Sequence, residues 1–145
     1  MFRKITGLSA VIVLSGCVSI APEPMNVIHR VEATNLAINE GQCAGSFETI
    51  TANLDKVGDE RAQSTAAYAD DMSEASRAEF DKLFNHPEFA AKHHDTNLTI
   101  GMRQVSDKLQ AGQSLDEIMY VMGTRCEAET GLAVWDYGLE IDALG

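Results

Sequence analysis

The segment SFETITANLDKV, residues 46–57, carries the most regular pattern in the chain. Its apolar residues are spaced by three, four and three positions: Phe47, Ile50, Leu54 and Val57. This spacing places them on one face of an α-helix, which has about 3.6 residues per turn. Gly58 follows at once and is expected to end the helix. The segment therefore predicts a helix that packs one apolar face into a core.

The segments on either side have the same helical period. A helix over residues 27–40 is expected to end near Gly41. Downstream we expect helices over residues 59–70, 73–85, 87–94, 96–110 and 115–126. Ser114 and Glu117 form a capping box at the start of the last of these, and His86-Pro87-Glu88 resembles a cap followed by a first turn. Alternation of period two is scarce, so the sequence predicts an all-α domain, a compact bundle of five to seven short helices.

The tail, residues 132–144, is the ambiguous part of the chain. It contains the Trp135-Asp136-Tyr137 alternation, which would suit a short strand. We expect a docked final helix there, with the strand as the alternative.

The amino terminus has the pattern of an export signal. Arg3 and Lys4 precede an apolar run over residues 5–14. As a helix, that run would cover roughly 15 Å, about half the hydrocarbon thickness of a bilayer, so a permanent transmembrane span is disfavoured. The run ends in Leu14-Ser15-Gly16-Cys17.

This ending resembles the lipobox of bacterial lipoproteins at all four positions. The resemblance covers only the first 17 residues and implies that residues 1–16 are a signal peptide and that Cys17 is lipidated. Several acyl chains on one residue would anchor the protein durably. Val18, rather than Asp, follows the cysteine, which implies the outer membrane, facing the periplasm. Residues 17–26, with Pro22 and Pro24, would form a tether, and residues 27–145 a single helical domain.

The charge of the chain restricts its partners. It has 22 acidic and 11 basic residues, and removing residues 1–16 changes the net charge from −11 to −13. Nucleic acid is a poor partner for such a surface, because binding phosphates depends on lysine and arginine. The membrane would be reached through the lipid anchor. A basic envelope protein would suit the charge, although a surface that only keeps the domain soluble is the simpler explanation.

Two cysteines, Cys43 and Cys126, remain after Cys17 is assigned to lipid. The cell envelope favours disulfides, so we expect these two residues to pair. The bond would join the front of the domain to its back and contribute roughly 4 kcal/mol in the loop-entropy model.

One cluster has the character of a metal site: His86, His93, His94 and Asp95. On a straight helix His86 and His93 would lie about 10 Å apart along the axis, too far for two bonds to one ion. The adjacent His93 and His94 would point about 100° apart. We therefore predict no metal site and no cofactor, and keep the cluster as the candidate site of an alternative function.

The sequence favours a lipid-anchored envelope protein that binds another protein without catalysis. Adaptor, pilotin-like, inhibitor and immunity-type roles all share this build. The alternative is a small ligand or metal carrier that uses the region from His86 to Asp95. No motif of a zinc protease, a di-iron protein, a dithiol redox protein or a c-type haem protein occurs in the chain.

Overall fold

A computed structural model describes residues 26–141. In this range the chain forms four α-helices and one turn of 3-10 helix: α1 (Val27–Lys56), α2 (Ala62–Leu83), α3 (Pro87–Gln110), α4 (Leu115–Thr130) and the 3-10 turn Val134–Tyr137. The all-α prediction is confirmed, but the expected five to seven helices are too many. The tail, as far as Ile141, has a single 3-10 turn in place of the expected final helix.

Three of the predicted helix boundaries do not occur in the structure. The ends expected near Gly41, between residues 70 and 73, and between residues 94 and 96 all lie inside continuous helices. Acidic and polar residues cluster at these points, but no proline occurs there. Such residues are neutral to mildly unfavourable within a helix, and they do not break it as proline does.

The true ends coincide with strong local signals. Gly58, Gly112 and Gly131 have φ angles of 69°, 88° and 80°, a left-handed conformation that stops a helix. The predicted cap at Ser114 is confirmed, since its Oγ accepts a hydrogen bond from the Glu117 backbone N–H at 3.2 Å. Pro87 begins α3 as expected, although the His86 side chain makes no capping hydrogen bond.

Helix α1 is the centre of the bundle and contacts α2, α3 and α4. The apolar face predicted for residues 46–57 is confirmed at Phe47, Ile50 and Leu54, which are fully buried. Val57 is 74 % exposed, because the helix ends at Lys56. Phe47, Ile50 and Leu54 form one core with Tyr68, Met72, Val105 and the apolar face of α4.

Two glycines let α1 and α3 cross with their backbones in contact. A Cβ atom on Gly45 would lie 1.9 Å from the Leu98 carbonyl oxygen, and one on Gly101 would lie 1.9 Å from the Gln42 carbonyl oxygen. Ser46 Oγ donates a hydrogen bond to the Gly101 carbonyl oxygen at 3.1 Å. Only glycine fits so close an approach.

The predicted disulfide is present. Cys43 on α1 and Cys126 on α4 are bonded, with their Cα atoms 5.9 Å apart, a separation normal for this bond. The tail then returns along α2, where the Tyr68 hydroxyl donates to the Leu132 carbonyl oxygen at 2.8 Å. The Tyr137 hydroxyl donates to the Asp71 carboxylate at 2.6 Å.

The bundle therefore has two halves of different construction. We call residues 41–72 and 98–141 the disulfide half, because α4 and the tail pack there. Residues 26–40 and 73–97 form the three-helix half, built from the start of α1, the end of α2 and the start of α3. It has its own small core of Ala37, Phe80, Leu83 and Ala90.

Candidate functional site

The most distinctive surface of the described chain is on α4, where an indole ring lies on the helix backbone. A Cβ atom on the buried Gly123 would lie 2.9 Å from Cη2 of Trp135. Gly131 ends α4 and reverses the chain, so that the 3-10 turn brings Trp135 back over the helix. The indole Nε1–H donates to the Glu127 carboxylate at 3.3 Å. The ring is thereby held in one place.

Tyr120 extends this surface by one helical turn. Its ring centroid is 6.3 Å from that of Trp135, a distance within the range of interacting aromatic pairs. The tyrosine is 47 % exposed and the tryptophan is half-buried. Glu117 lies one turn before Tyr120, and Glu127 lies one turn after Gly123. We call these four side chains the Tyr120–Trp135 surface: Glu117, Tyr120, Glu127 and Trp135.

The charges on this surface are negative. Helix α4 contains four acidic residues and one basic residue, Arg125. Arg125 Nε donates to the Glu129 carboxylate at 3.0 Å. Its Nη1 and Nη2 atoms donate to side-chain oxygens of Gln104 and Gln42. The single cation of α4 is thus engaged on the side facing α1 and α3, while the aromatic pair has acidic neighbours.

A second polar cluster contains His94, one of the candidate metal ligands. The imidazole is 6 % exposed; its Nδ1 is 3.1 Å from Ser76 Oγ and its Nε2 is 3.1 Å from Ser73 Oγ. Ser76 donates its only hydroxyl proton to the Ala37 carbonyl oxygen at 2.9 Å. Its oxygen must therefore accept from Nδ1–H, which leaves Nε2 to accept from the Ser73 hydroxyl.

Burial favours the neutral form of the imidazole. It lowers the pKa of His94; Asp95 and Asp81 raise that pKa by smaller amounts, and Arg77 lowers it further. The Ser73–His94 hydrogen bond resembles that of a nucleophile and its base. Both residues lie within helices, however, where the backbone N–H groups are already bonded and cannot stabilise an oxyanion. The cluster of His94 and its two serine partners links α1, α2 and α3.

The other candidate ligands have separate surroundings. His93 stacks on Phe84 with ring centroids 4.7 Å apart and planes 7° apart. His86 packs edge-on against Phe89 at 5.3 Å, and Asp95 is exposed. Within residues 26–141, no three histidine, cysteine, aspartate or glutamate side chains group as a metal site requires. A metal carrier would thus have no set of metal ligands within this range.

One half-buried carboxyl group, that of Glu40, lies between α1 and α2. Oε1 of Glu40 is buried without a hydrogen-bond partner. Burial, together with the charge of Glu79, raises the pKa of Glu40 to about 7, while Lys82 opposes the shift. Lys82 is itself paired with Glu79 at 3.2 Å. This group changes its charge near neutral pH.

The sequence patterns predict neither the Tyr120–Trp135 surface nor the hydrogen bonds of His94 to its two serine partners. The signal for the first was Gly123 amid the buried Met119, Met122 and Cys126, since a glycine inside a helix suggests a close approach. The serine–histidine cluster had no local signal, because it depends on how α2 and α3 align.

The predicted signal peptide, Cys17 and most of the predicted tether lie outside the described residues. Among residues 26–141, no helix is both long enough and apolar enough to span a bilayer. Comparisons of the chain with protein-family models, with curated proteins and with solved structures each returned no match.

Proposed function

We propose that this protein is a lipoprotein of the bacterial outer membrane that faces the periplasm and binds a basic envelope protein through the Tyr120–Trp135 surface, without catalysis. The anchor rests on the lipobox-like Leu14-Ser15-Gly16-Cys17. The disulfide is consistent with an oxidising compartment.

The observation that carries the binding role is the fixed, partly exposed aromatic pair. Tyrosine and tryptophan dominate the energetic centres of protein interfaces, because each buries a large area at a low cost in side-chain entropy. Trp135 is already held by Gly123 and Glu127, so little ordering remains for a partner to impose.

The acidic charge of the chain indicates what kind of partner would bind it. Glu117 and Glu127 border the aromatic pair, and the chain without residues 1–16 carries a net charge of −13. Opposite charge on a partner raises the rate of association and excludes acidic competitors. We therefore expect a partner with lysine or arginine around an apolar centre.

The test begins with the acylated protein purified in detergent from its host. Intact mass should show a chain that begins at Cys17 and carries acyl groups. A partner captured at low salt should be basic, and the two purified proteins should bind directly with an affinity that falls as salt rises. A chain that retains Met1 and has no acyl group would contradict the anchor.

The chain offers a matched pair of variants for the surface. Tyr120 and Phe89 are exposed aromatic residues with 47 % and 50 % exposure, one on α4 and the other on α3. Tyr120→Ala should weaken the purified complex by about tenfold or more, whereas Phe89→Ala should leave the dissociation constant unchanged. Equal binding by both variants, or a partner that is acidic, would contradict the proposed surface.

A further inference from the structure

The start of α1 has an unusual apolar surface. Val27, Ile28 and Val31 are 78 %, 71 % and 54 % exposed. Every residue from 26 to 32 is exposed, so the first turns of α1 are little covered by the other helices. Large apolar residues occur singly on most protein surfaces, but a contiguous group marks a contact site.

These turns are held in a fixed direction. The Asn26 side chain caps α1 by accepting from the His29 backbone N–H at 2.9 Å. Arg30 Nη2 donates to the Leu83 carbonyl oxygen at 3.0 Å, which ties α1 to the end of α2. The apolar side chains therefore stand on an ordered helix.

We infer that Val27, Ile28 and Val31 insert into the interface of the bilayer that carries the lipid anchor. The inference rests on the proposed acylation of Cys17. Nine residues separate Cys17 from Val27, and an extended chain spans at most about 3.6 Å per residue. This end of the domain therefore stays within roughly 35 Å of the anchor, and nothing in that length prevents direct contact.

The composition of the connecting chain agrees with a lipid surface. Residues 18–26, VSIAPEPMN, contain one charged residue, Glu23. The first turns of α1 add no acid before Glu32, and they contain His29 and Arg30. The apolar turns of α1 thus carry no acid of their own, which favours their contact with a surface of anionic headgroups.

The opposite end of the bundle provides the contrast. Val57 is 74 % exposed, as much as Val27 and Ile28, but it lies near Asp55, Asp59 and Glu60. It is also at the far end of the 30-residue helix α1, roughly 45 Å from Val27 along the helix axis. Val57 should remain in water.

The experiment uses the acylated protein in vesicles of phosphatidylethanolamine and phosphatidylglycerol. Ile28→Cys and Val57→Cys variants are each labelled with an environment-sensitive fluorophore, since Cys43 and Cys126 are bonded and do not react. The label at position 28 should shift to the blue, gain intensity severalfold and be quenched by brominated acyl chains. The label at position 57 should do none of these. Adding Val31→Glu to the Ile28→Cys variant should return its label to water. Adding Val57→Glu to the same Ile28→Cys variant should leave its label in the bilayer.

The possible failures are distinguishable. If intact mass shows acyl groups but the label at position 28 behaves like that at position 57, the inference is wrong and the anchor stands. A blue shift without quenching by brominated lipid would place a second copy of the chain on this surface and would also overturn the inference. Absence of the acyl groups would overturn the proposed anchor together with the inference.

Discussion

The two halves of the bundle are held together by different interactions. The disulfide half buries large apolar side chains, including Phe47, Ile50 and Leu54, and it adds a covalent bond between α1 and α4. The three-helix half has a small core centred on Phe80. It depends more on polar contacts, chiefly the cluster around His94.

This difference predicts that one half is the more stable and that the other half responds more strongly to pH. Apolar burial is nearly independent of pH, whereas buried titratable groups make stability depend on pH. Regions with few apolar contacts also open locally before the whole protein unfolds. We expect the disulfide half, which contains the Tyr120–Trp135 surface, to be the rigid part. The three-helix half, which adjoins the predicted tether, should open first. It should also respond most strongly to pH, through Glu40 and His94, although burial raises the pKa of Glu48 in the disulfide half as well.

The largest expected effect comes from removing the disulfide. The bond spans 83 residues in sequence, and the loop-entropy model gives roughly 4 kcal/mol for a loop of that size. The double variant Cys43→Ala/Cys126→Ala should lose about that much free energy of unfolding in urea. Hydrogen exchange should show that α4 loses its protection relative to the three-helix half.

The control for this prediction is a reducing agent. It should destabilise the native protein and leave the double variant unchanged. A loss below about 1 kcal/mol would mean that apolar packing alone holds α4, and that the halves differ less than their construction indicates.

A second test concerns the crossing of α1 and α3. Gly101→Ala would place a Cβ atom 1.9 Å from the Gln42 carbonyl oxygen, so the two helices must separate. We expect a loss of about 3 kcal/mol, although the same change on an exposed helix gains up to about 1 kcal/mol. Urea denaturation measures the difference.

Gly123→Ala is the matched variant within the same half. The added Cβ atom would meet Cη2 of Trp135 at 2.9 Å, but the far end of a side chain shifts by a few tenths of an ångström at less cost than a helix backbone does. The cost should be smaller, about 1 kcal/mol, and the fluorescence of this single tryptophan should change. A larger loss for Gly123→Ala than for Gly101→Ala would contradict the described crossing.

Other glycines of the chain show which helix boundaries can be predicted from the sequence. Gly58 and Ser114 mark helix boundaries through local chemistry, and both predictions are confirmed. Gly41 has the same letter as Gly58, yet it lies inside α1 beside Asn97 and Ser76. Whether a glycine ends a helix or admits a neighbouring one depends on tertiary packing, which no local pattern records.

The candidate sites divide in the same way. The disulfide can be predicted from composition, because only two cysteines remain once Cys17 is predicted to carry lipid. The Tyr120–Trp135 pair requires the chain reversal at Gly131, and the Ser76–His94 contact requires the register of two separate helices. Both bring together residues more than ten positions apart, beyond the reach of periodicity.

A third prediction addresses the polar cluster of the three-helix half. Ser76→Ala removes the partner of His94 Nδ1–H and the donor to the Ala37 carbonyl oxygen. Leaving buried polar groups unpaired costs about 1–3 kcal/mol, and we expect about 2 kcal/mol. Ser73→Ala is the control: this side chain is half-buried, and water can replace its hydroxyl. Its loss should stay below about 1 kcal/mol. Equal losses in urea denaturation would contradict the hydrogen-bond order derived for His94.

The most specific effect is the pH dependence caused by Glu40, whose pKa is raised from 4.5 to about 7. A carboxyl group with a raised pKa in the folded state favours folding most below pH 4.5, and that contribution is lost as the pH rises through about 7. Glu40→Gln removes the titration. Relative to this variant, the native protein should lose about 1–2 kcal/mol of unfolding free energy between pH 5 and pH 8, after allowing for solvent screening.

His94 gives the opposite sign and so separates the two groups. Burial lowers the pKa of His94, which means that its contribution to the unfolding free energy is present above the ordinary value of 6.5 and is lost as the pH falls through the lowered pKa.

Lys82 opposes the shift in the pKa of Glu40, so Lys82→Met should move the loss of stability attributed to Glu40 to higher pH. The exposed Glu74→Gln controls for removing a charge from α2. If Glu40→Gln and Glu74→Gln gave the same pH profile as the native protein, Glu40 would be solvated like a surface acid, and the three-helix half would lack the pH response that sets it apart.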